Sequence, residues 1–164
     1  MTDGPGMRLR AEGPDTAALP GMPGAAPAEL AVRLCLDPEP AQVARARERA
    51  AKVLADCGRA EHAWLAEIVV SELVTNAIVH GAGPVLVGLS CGSGSVRVEV
   101  HDQDPGRPVR RRPSAYEEAG RGLALIDGLI GLYGGEFGTT ADSGGPGKSV
   151  HVTVRFPQDK ADVR

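Results

Sequence analysis

The chain has 164 residues, the size of one ordinary domain, and 42% of them are apolar, which is enough for a single core. Only 3% are aromatic, so Val, Leu, Ile and Ala must build that core. The net charge of −3 argues against direct nucleic-acid binding through many phosphate contacts. Because no signal peptide and no membrane-length apolar run are evident, we expect a cytoplasmic protein without a membrane partner.

The N-terminal segment, residues 1–28, is crowded with Gly and Pro and has no hydrophobic period. Such a segment cannot bury enough surface to offset its ordering entropy, so it is predicted to be a disordered tail. Residues 29–157 are predicted to form the folded domain. Residues 158–164 are predicted to be a flexible C-terminal tail.

The domain begins with alternating apolar residues over 30–36, which predict a strand. Asp37-Pro38 then predicts the start of a helix, with Asp as the cap and Pro at the first helical position. Gly58 is a typical helix terminator. A second helix is expected over about 61–80, and because it is apolar around most of its circumference it should be covered on more than one side.

The second half of the domain is rich in strands. Alternating valines and leucines predict a hairpin of two strands over 85–89 and 96–100. The remaining elements are expected to be a loop over 107–119, a short helix over 123–130, a weak strand over 134–140, a turn over 142–147 and a last strand over 150–156. The fold predicted from this order is a two-layer α/β sandwich, a mostly antiparallel sheet with helices on one face.

The cysteines, Cys35, Cys57 and Cys91, are odd in number and far apart. No CxxC or Cys/His spacing indicates a zinc site, and a disulfide framework cannot include all three. We predict buried, reduced thiols, as in most cytosolic proteins.

A Gly-rich segment over 142–149 nearly spells a P-loop, but it begins with Asp142 instead of Gly. A P-loop must lead into a helix whose first amides hold phosphate. The residues after Ser149 alternate strictly and predict a strand, so the P-loop is rejected.

The second helix carries two polar residues, Glu72 and Asn76, which are four apart and share a face with Leu65, Ile68 and Val79. An acid and an amide on an apolar face cost free energy unless they are satisfied. Either they hydrogen-bond to neighbouring backbone, or they point at a metal–phosphate group, since Mg²⁺ prefers oxygen ligands.

Two further features are ambiguous when taken alone. Asp102 ends a strand and could accept a hydrogen bond from an adenine amino group, although Asp before a turn is more often only turn chemistry. Of five Gly-x-Gly triplets, only that of Gly120-Arg121-Gly122-Leu123 lies after a loop at the mouth of a predicted helix. Its amides could hold phosphate, or its glycines could simply allow close packing.

The order of these features resembles that of the GHKL ATP-binding superfamily, and most closely its small members related to bacterial anti-sigma-factor serine kinases. The segment 72–77 matches the N box, 102–106 the first Gly box and 120–123 the second. Gly147-Lys-Ser149 takes the place of the C-terminal Gly-Thr element. The resemblance covers nearly all of residues 29–157.

This resemblance implies the Bergerat ATP-binding fold, with ATP and Mg²⁺ as ligands. Asn76 would hold Mg²⁺, Glu72 would be the general base, and Asp102 would read the adenine amino group. The other nucleotide-binding residues would be Gly106, Gly120, Arg121, Gly122, Leu123 and Ser149. Residues 107–119 would form a lid over the nucleotide.

The sequence departs from the family pattern at Asp104, where the first Gly box usually has Gly, and in the arginines at 110–112 of the short lid.

Three functions are compatible with the sequence. The first is a serine/threonine kinase that binds a sigma factor, or an antagonist of such a regulator, and so represses transcription. The second is a non-catalytic, ATP-gated binding module, and the third is a sandwich without nucleotide. A homodimer is implied by the resemblance alone.

Overall fold

The computed structural model describes residues 30–104 and 121–158. The predicted N-terminal tail, all of the predicted C-terminal tail except its first residue, and the predicted lid over 107–119 therefore lie outside the described residues, as do Gly106 and Gly120. The elements are β1 (Leu30–Leu36), α1 (Ala41–Asp56), a short 3₁₀ turn (Ala60–His62), α2 (Ala63–His80), β2 (Val85–Cys91), β3 (Ser95–Asp102), α3 (Arg121–Tyr133), β4 (Gly135–Ala141) and β5 (Lys148–Arg155).

The five strands form one antiparallel sheet in the order β1-β2-β3-β5-β4. Alternate residues of β2, β3 and β5 are buried under the helices, and the residues between them are mostly half-buried or exposed on the other face. The prediction of an antiparallel two-layer α/β sandwich is confirmed.

The core is aliphatic, as the composition predicted, and α2 lies at its centre. Seven residues of α2 are buried, because this helix packs against α1 as well as against the sheet. The stretch Ala60–His80 is long and apolar enough to span a membrane by length and composition, contrary to the sequence expectation. Its burial between α1 and the sheet explains the apolar composition without a membrane.

The N-terminus of α1 differs from the prediction. The helix begins at Ala41, its N-cap is Pro40, and no side chain caps it. The segment from Asp37 instead forms a turn, in which the Glu39 amide donates to the Asp37 carbonyl. Since that turn uses the Asp37 main chain, the helix starts three residues later than a Pro38 start would require. Gly58 follows the helix with φ +75°, which confirms it as the terminator.

The prediction of three buried, reduced thiols is wrong. Cys57, at the C-terminal end of α1, forms a disulfide with Cys91, at the end of β2, and their Cα atoms lie 6.5 Å apart. Cys35 is free and exposed. It lies on the sheet face away from the helices because its neighbours Leu34 and Leu36 occupy the buried face.

The second half of the domain follows the predicted order. The helix α3 is longer than expected at both ends, and the weak strand is present as β4. The Asp142 amide donates to the Gly147 carbonyl and closes the predicted turn. Because β5 follows directly at Lys148, the rejection of the P-loop is confirmed.

Candidate functional site

The polar residues of α2 lie on a face that is only partly covered. Glu72 and Asn76 are half-buried, Leu65 is buried, and Val79 is 64% exposed near the end of the helix. Burial raises the pKa of the Glu72 carboxyl group above its ordinary value of 4.5. A carboxylate with a raised pKa is a stronger base, as a residue that accepts a proton during catalysis requires.

The N-terminal turn of α3 lies against Glu72. Gly122 is buried, and a Cβ atom at this position would collide with the Glu72 carboxylate and lie 3.0 Å from its Cγ. Glycine therefore lets the α3 backbone approach the acid closely. The first amides of α3 are free of helical partners, so this is where a helix can bind phosphate.

Asp102 lies near the C-terminal end of α2. It is the last residue of β3, it is only 3% exposed, and it faces the helices like the valines before it. A Cβ atom at Gly81, the residue after α2, would lie 2.7 Å from the Asp102 Cγ and 2.9 Å from its Oδ2. The Gln103 amide donates to the Ala82 carbonyl at 2.8 Å, which fixes the strand end beside the end of α2.

The Asp102 carboxylate is held by two donors. The Asp104 amide donates to Oδ1 at 2.7 Å, which is the turn chemistry considered from the sequence. The Lys148 ammonium group donates to the same oxygen at 3.1 Å, so a buried ion pair joins the ends of β3 and β5. Oδ2 is the oxygen that is left for a ligand.

The structure does not bring Ser149 to Asp102. Ser149 lies opposite His101 and Thr140 on the helix-free face, and the neighbouring Lys148 lies opposite Asp102. Gly147 permits the close approach of this segment, since a Cβ atom there would lie 2.8 Å from His101 Nε2 and 2.9 Å from the Asp102 carbonyl oxygen.

The two remaining predicted site residues that the structure describes lie at the start of α3. Arg121 is its first residue, and Leu123 is half-buried against the core. His80, which the sequence allowed either to extend the polar face or to end the helix, is the exposed last residue of α2.

The helix α2 therefore connects two distinct polar positions. Glu72 contacts the start of α3, and nine residues later Gly81 contacts Asp102. At 1.5 Å per residue, these positions are about 13 Å apart along the helix.

Sequence reasoning missed Lys148 and Gly81. Lys148 has the same parity as Val150, Val152 and Val154, so the alternation alone places a cation on the buried face, where it requires an anion. Asp102 has the same parity as the valines of β3 and is the matching anion. Gly81 has no comparable signal, because its close approach depends on the tertiary fold.

The raised pKa of Glu72 predicts a pH-dependent stability. The folded protein holds this proton more tightly than the unfolded chain, so the group stabilises the fold below pH 4.5, and the contribution is lost as pH rises through the folded pKa. Glu72→Gln should therefore match the wild type in Tm well below pH 4.5 and have a higher Tm than the wild type at about pH 7.5. Thermal melts of the nucleotide-free protein measure this. Glu48→Gln, at an exposed position of α1, is the control, and a pH-independent difference in Tm would contradict the prediction.

Comparison with known proteins gives a match over most of this chain. The family described as histidine kinase-like ATPase domain matches residues 36–155. The signal transduction histidine-protein kinase AfsQ2 of Streptomyces coelicolor is 29% identical over 121 residues, which cover 63% of this chain and 22% of that protein. The chain thus spans about a fifth of the length of this curated relative.

Among solved structures, the chain is similar to the histidine kinase domain from the Erythrobacter litoralis EL346 blue-light activated histidine kinase. The two are 26% identical, and the match covers 80% of this chain and 65% of that one, with a TM-score of 0.41.

Proposed function

The chain belongs to the histidine kinase-like ATPase domain family, and we propose that it binds ATP with Mg²⁺ and transfers the γ-phosphoryl group to a serine or threonine of a partner protein. The observation that carries this proposal is the arrangement along α2. A buried carboxylate at one end suits an adenine amino group, and a half-buried carboxylate beside a helix N-terminus about 13 Å away suits the reacting phosphate.

The residues at both ends fit these ligands. Asp102 Oδ2 can accept a hydrogen bond from the base, and the amides at the start of α3 can donate to phosphate oxygens. Asn76, one turn beyond Glu72, offers an amide oxygen to Mg²⁺, which takes one or two protein ligands and completes its shell with phosphate and water. The bound ion supplies charge neutralisation at the phosphates.

Glu72 serves as the general base in this proposal. The hydroxyl oxygen of the partner forms a bond to the γ-phosphorus, the bond from that phosphorus to the β–γ bridging oxygen breaks, and the hydroxyl proton passes to the Glu72 carboxylate. ADP leaves with the bridging oxygen. The raised pKa of Glu72 favours its acceptance of this proton.

The biological role that we propose is regulation of transcription in the cytoplasm, in the manner of an anti-sigma factor. The partner would be a sigma factor or an antagonist of such a regulator, and the acceptor hydroxyl would belong to that partner. The proposal is supported by the order along the chain of the three matching motifs, which contain Glu72, Asn76 and Asp102. A homodimer remains part of this proposal.

ATP binding is tested by Asn76→Ala. With Mg²⁺ present, the variant should bind ATP at least about tenfold more weakly than the wild type, because one oxygen ligand of the ion is lost. In EDTA the two proteins should bind ATP alike. Isothermal titration calorimetry measures both, and Thr75→Ala, an exposed neighbour on α2, is the control. An equal loss in EDTA would contradict the metal role, and no ATP binding by the wild type at millimolar nucleotide would end the proposal.

The acceptor residue is tested by the chemistry of the product. Incubation with γ-labelled ATP and the cytosol of the source cells should give a labelled partner whose phosphate survives acid, as phosphoserine and phosphothreonine do. An acid-labile, alkali-stable label would identify a phosphohistidine and contradict the serine/threonine assignment. ATP binding without any labelled protein would favour the non-catalytic, ATP-gated module.

A further inference from the structure

Lys148 is buried at a position where the other residues of its strand that face the helices are apolar. It is the first residue of β5, it is 8% exposed, and it pairs with Asp102 across the sheet. Burying an ammonium group is costly unless it is paired and hydrogen-bonded. The contacts of the Lys148 ammonium group with Asp102 and with the Asp104 carbonyl offset this cost.

These contacts hold both Asp102 and the chain that follows it. The Nζ atom lies 3.1 Å from Asp102 Oδ1 and 3.1 Å from the Asp104 carbonyl oxygen. The Asp104 amide also donates to Oδ1, at 2.7 Å. Two donors therefore fix one oxygen of the carboxylate and orient the other, Oδ2, beside Gly81.

We propose that Lys148 is a positioning residue that sets the base selectivity of the site, holding Asp102 as an oriented, acceptor-only carboxylate that selects a 6-amino purine over a 6-oxo purine. The inference rests on the proposed ATP site. An ionised carboxylate can accept hydrogen bonds but cannot donate one. The Asp102 carboxylate can therefore accept a hydrogen bond from the amino group of adenine. The carbonyl oxygen of hypoxanthine is itself an acceptor, so it cannot form this hydrogen bond and is repelled by the carboxylate.

Without the cation, this discrimination weakens for two reasons. Oδ1 loses a charged donor, so the carboxylate is free to turn away from the base. In addition, a buried carboxylate that has lost its charged partner is unfavourable in this place, so Asp102 is no longer held at the position that faces the base. ATP then binds more weakly, and inosine triphosphate binds relatively better.

The test compares the dissociation constants of ATP and inosine triphosphate by calorimetry in Mg²⁺. In Lys148→Met, the preference for ATP should fall at least about tenfold from the wild-type value. Lys148→Arg, which keeps the charge and donors, should restore most of the preference. Lys52→Met is the matched control, since Lys52 forms an exposed ion pair on α1 with Asp56 at 2.9 Å. It should leave the preference unchanged.

Other outcomes overturn the inference. If Lys148→Met weakened both nucleotides by the same factor, Lys148 would have a structural role only, and an unchanged preference would exclude any role. Should that variant fail to fold, Lys148→Gln retains a donor without the charge, and the same fall in preference is expected. Failure of the wild type to bind either nucleotide would overturn the proposed function itself. A wild type that bound both equally would overturn only the selectivity.

Discussion

Glu72→Gln is expected to lower the rate of γ-phosphoryl transfer by about 10²–10⁴-fold, the usual contribution of a general base. The amide keeps the shape of the side chain beside Gly122 but cannot accept the hydroxyl proton. Because Glu72 lies about 13 Å along the helix axis from Gly81, the residue beside Asp102, ATP affinity should stay within about threefold of the wild type. Single-turnover transfer from γ-labelled ATP and calorimetric titration measure the two quantities separately.

The control for this prediction is Glu67→Gln. Glu67 is a half-buried acid on the same helix, five residues earlier, so it points in a different direction from Glu72. It should leave the transfer rate unchanged. Transfer by Glu72→Gln at the wild-type rate would show that Glu72 is not the base.

Gly122→Ala is expected to lower the transfer rate at least about 100-fold while leaving the fold intact, since a displacement of about 1 Å at a reacting group can cost this much. The new Cβ atom would occupy the position of the Glu72 carboxylate. That carboxylate is the end of a flexible side chain, so it moves aside and the backbone stays in place. Single-turnover rates and thermal melts measure the loss of rate and the retained stability.

Gly128→Ala provides a matched control on the same helix. Gly128 is exposed, and a Cβ atom there would contact nothing within 4 Å. Replacing an exposed helical glycine by alanine should stabilise the protein by about 0.5–1 kcal/mol without affecting transfer. If Gly122→Ala transferred phosphate at the wild-type rate, the close packing of α3 on Glu72 would have no catalytic role.

The strands were predictable because one face of the sheet is buried. Alternation in β3 and β5 fixes which residues face the helices, and the structure has the same parity. The same rule, applied to the ends of these strands, places Asp102 and Lys148 on the buried face and Ser149 on the other. The resemblance to the Gly-Thr element implied a role for Ser149, although the alternation of β5 places Lys148, not Ser149, on the same face as Asp102.

Other features depend on contacts that no local pattern encodes. The disulfide joins Cys57 and Cys91, which are 34 residues apart and meet only because α1 ends above the end of β2. The start of α1 was also missed, because Asp37 satisfies a turn through its main chain and leaves the helix without a side-chain cap. Local propensity identified the helix but not the tertiary context that set its first residue.

The rigid spacing along α2 has a consequence for which nucleotides react. Glu72 lies on α2 and Gly81 directly follows this helix, which is packed between α1 and the sheet, so the distance between the two residues is fixed by the helix. In the proposed binding mode, a diphosphate anchored by its base at Asp102 would lack the phosphate that reaches Glu72. In the proposed binding mode, bound ADP would therefore occupy the base position while Glu72 contacted no phosphate, so the length of α2 would distinguish substrate from product.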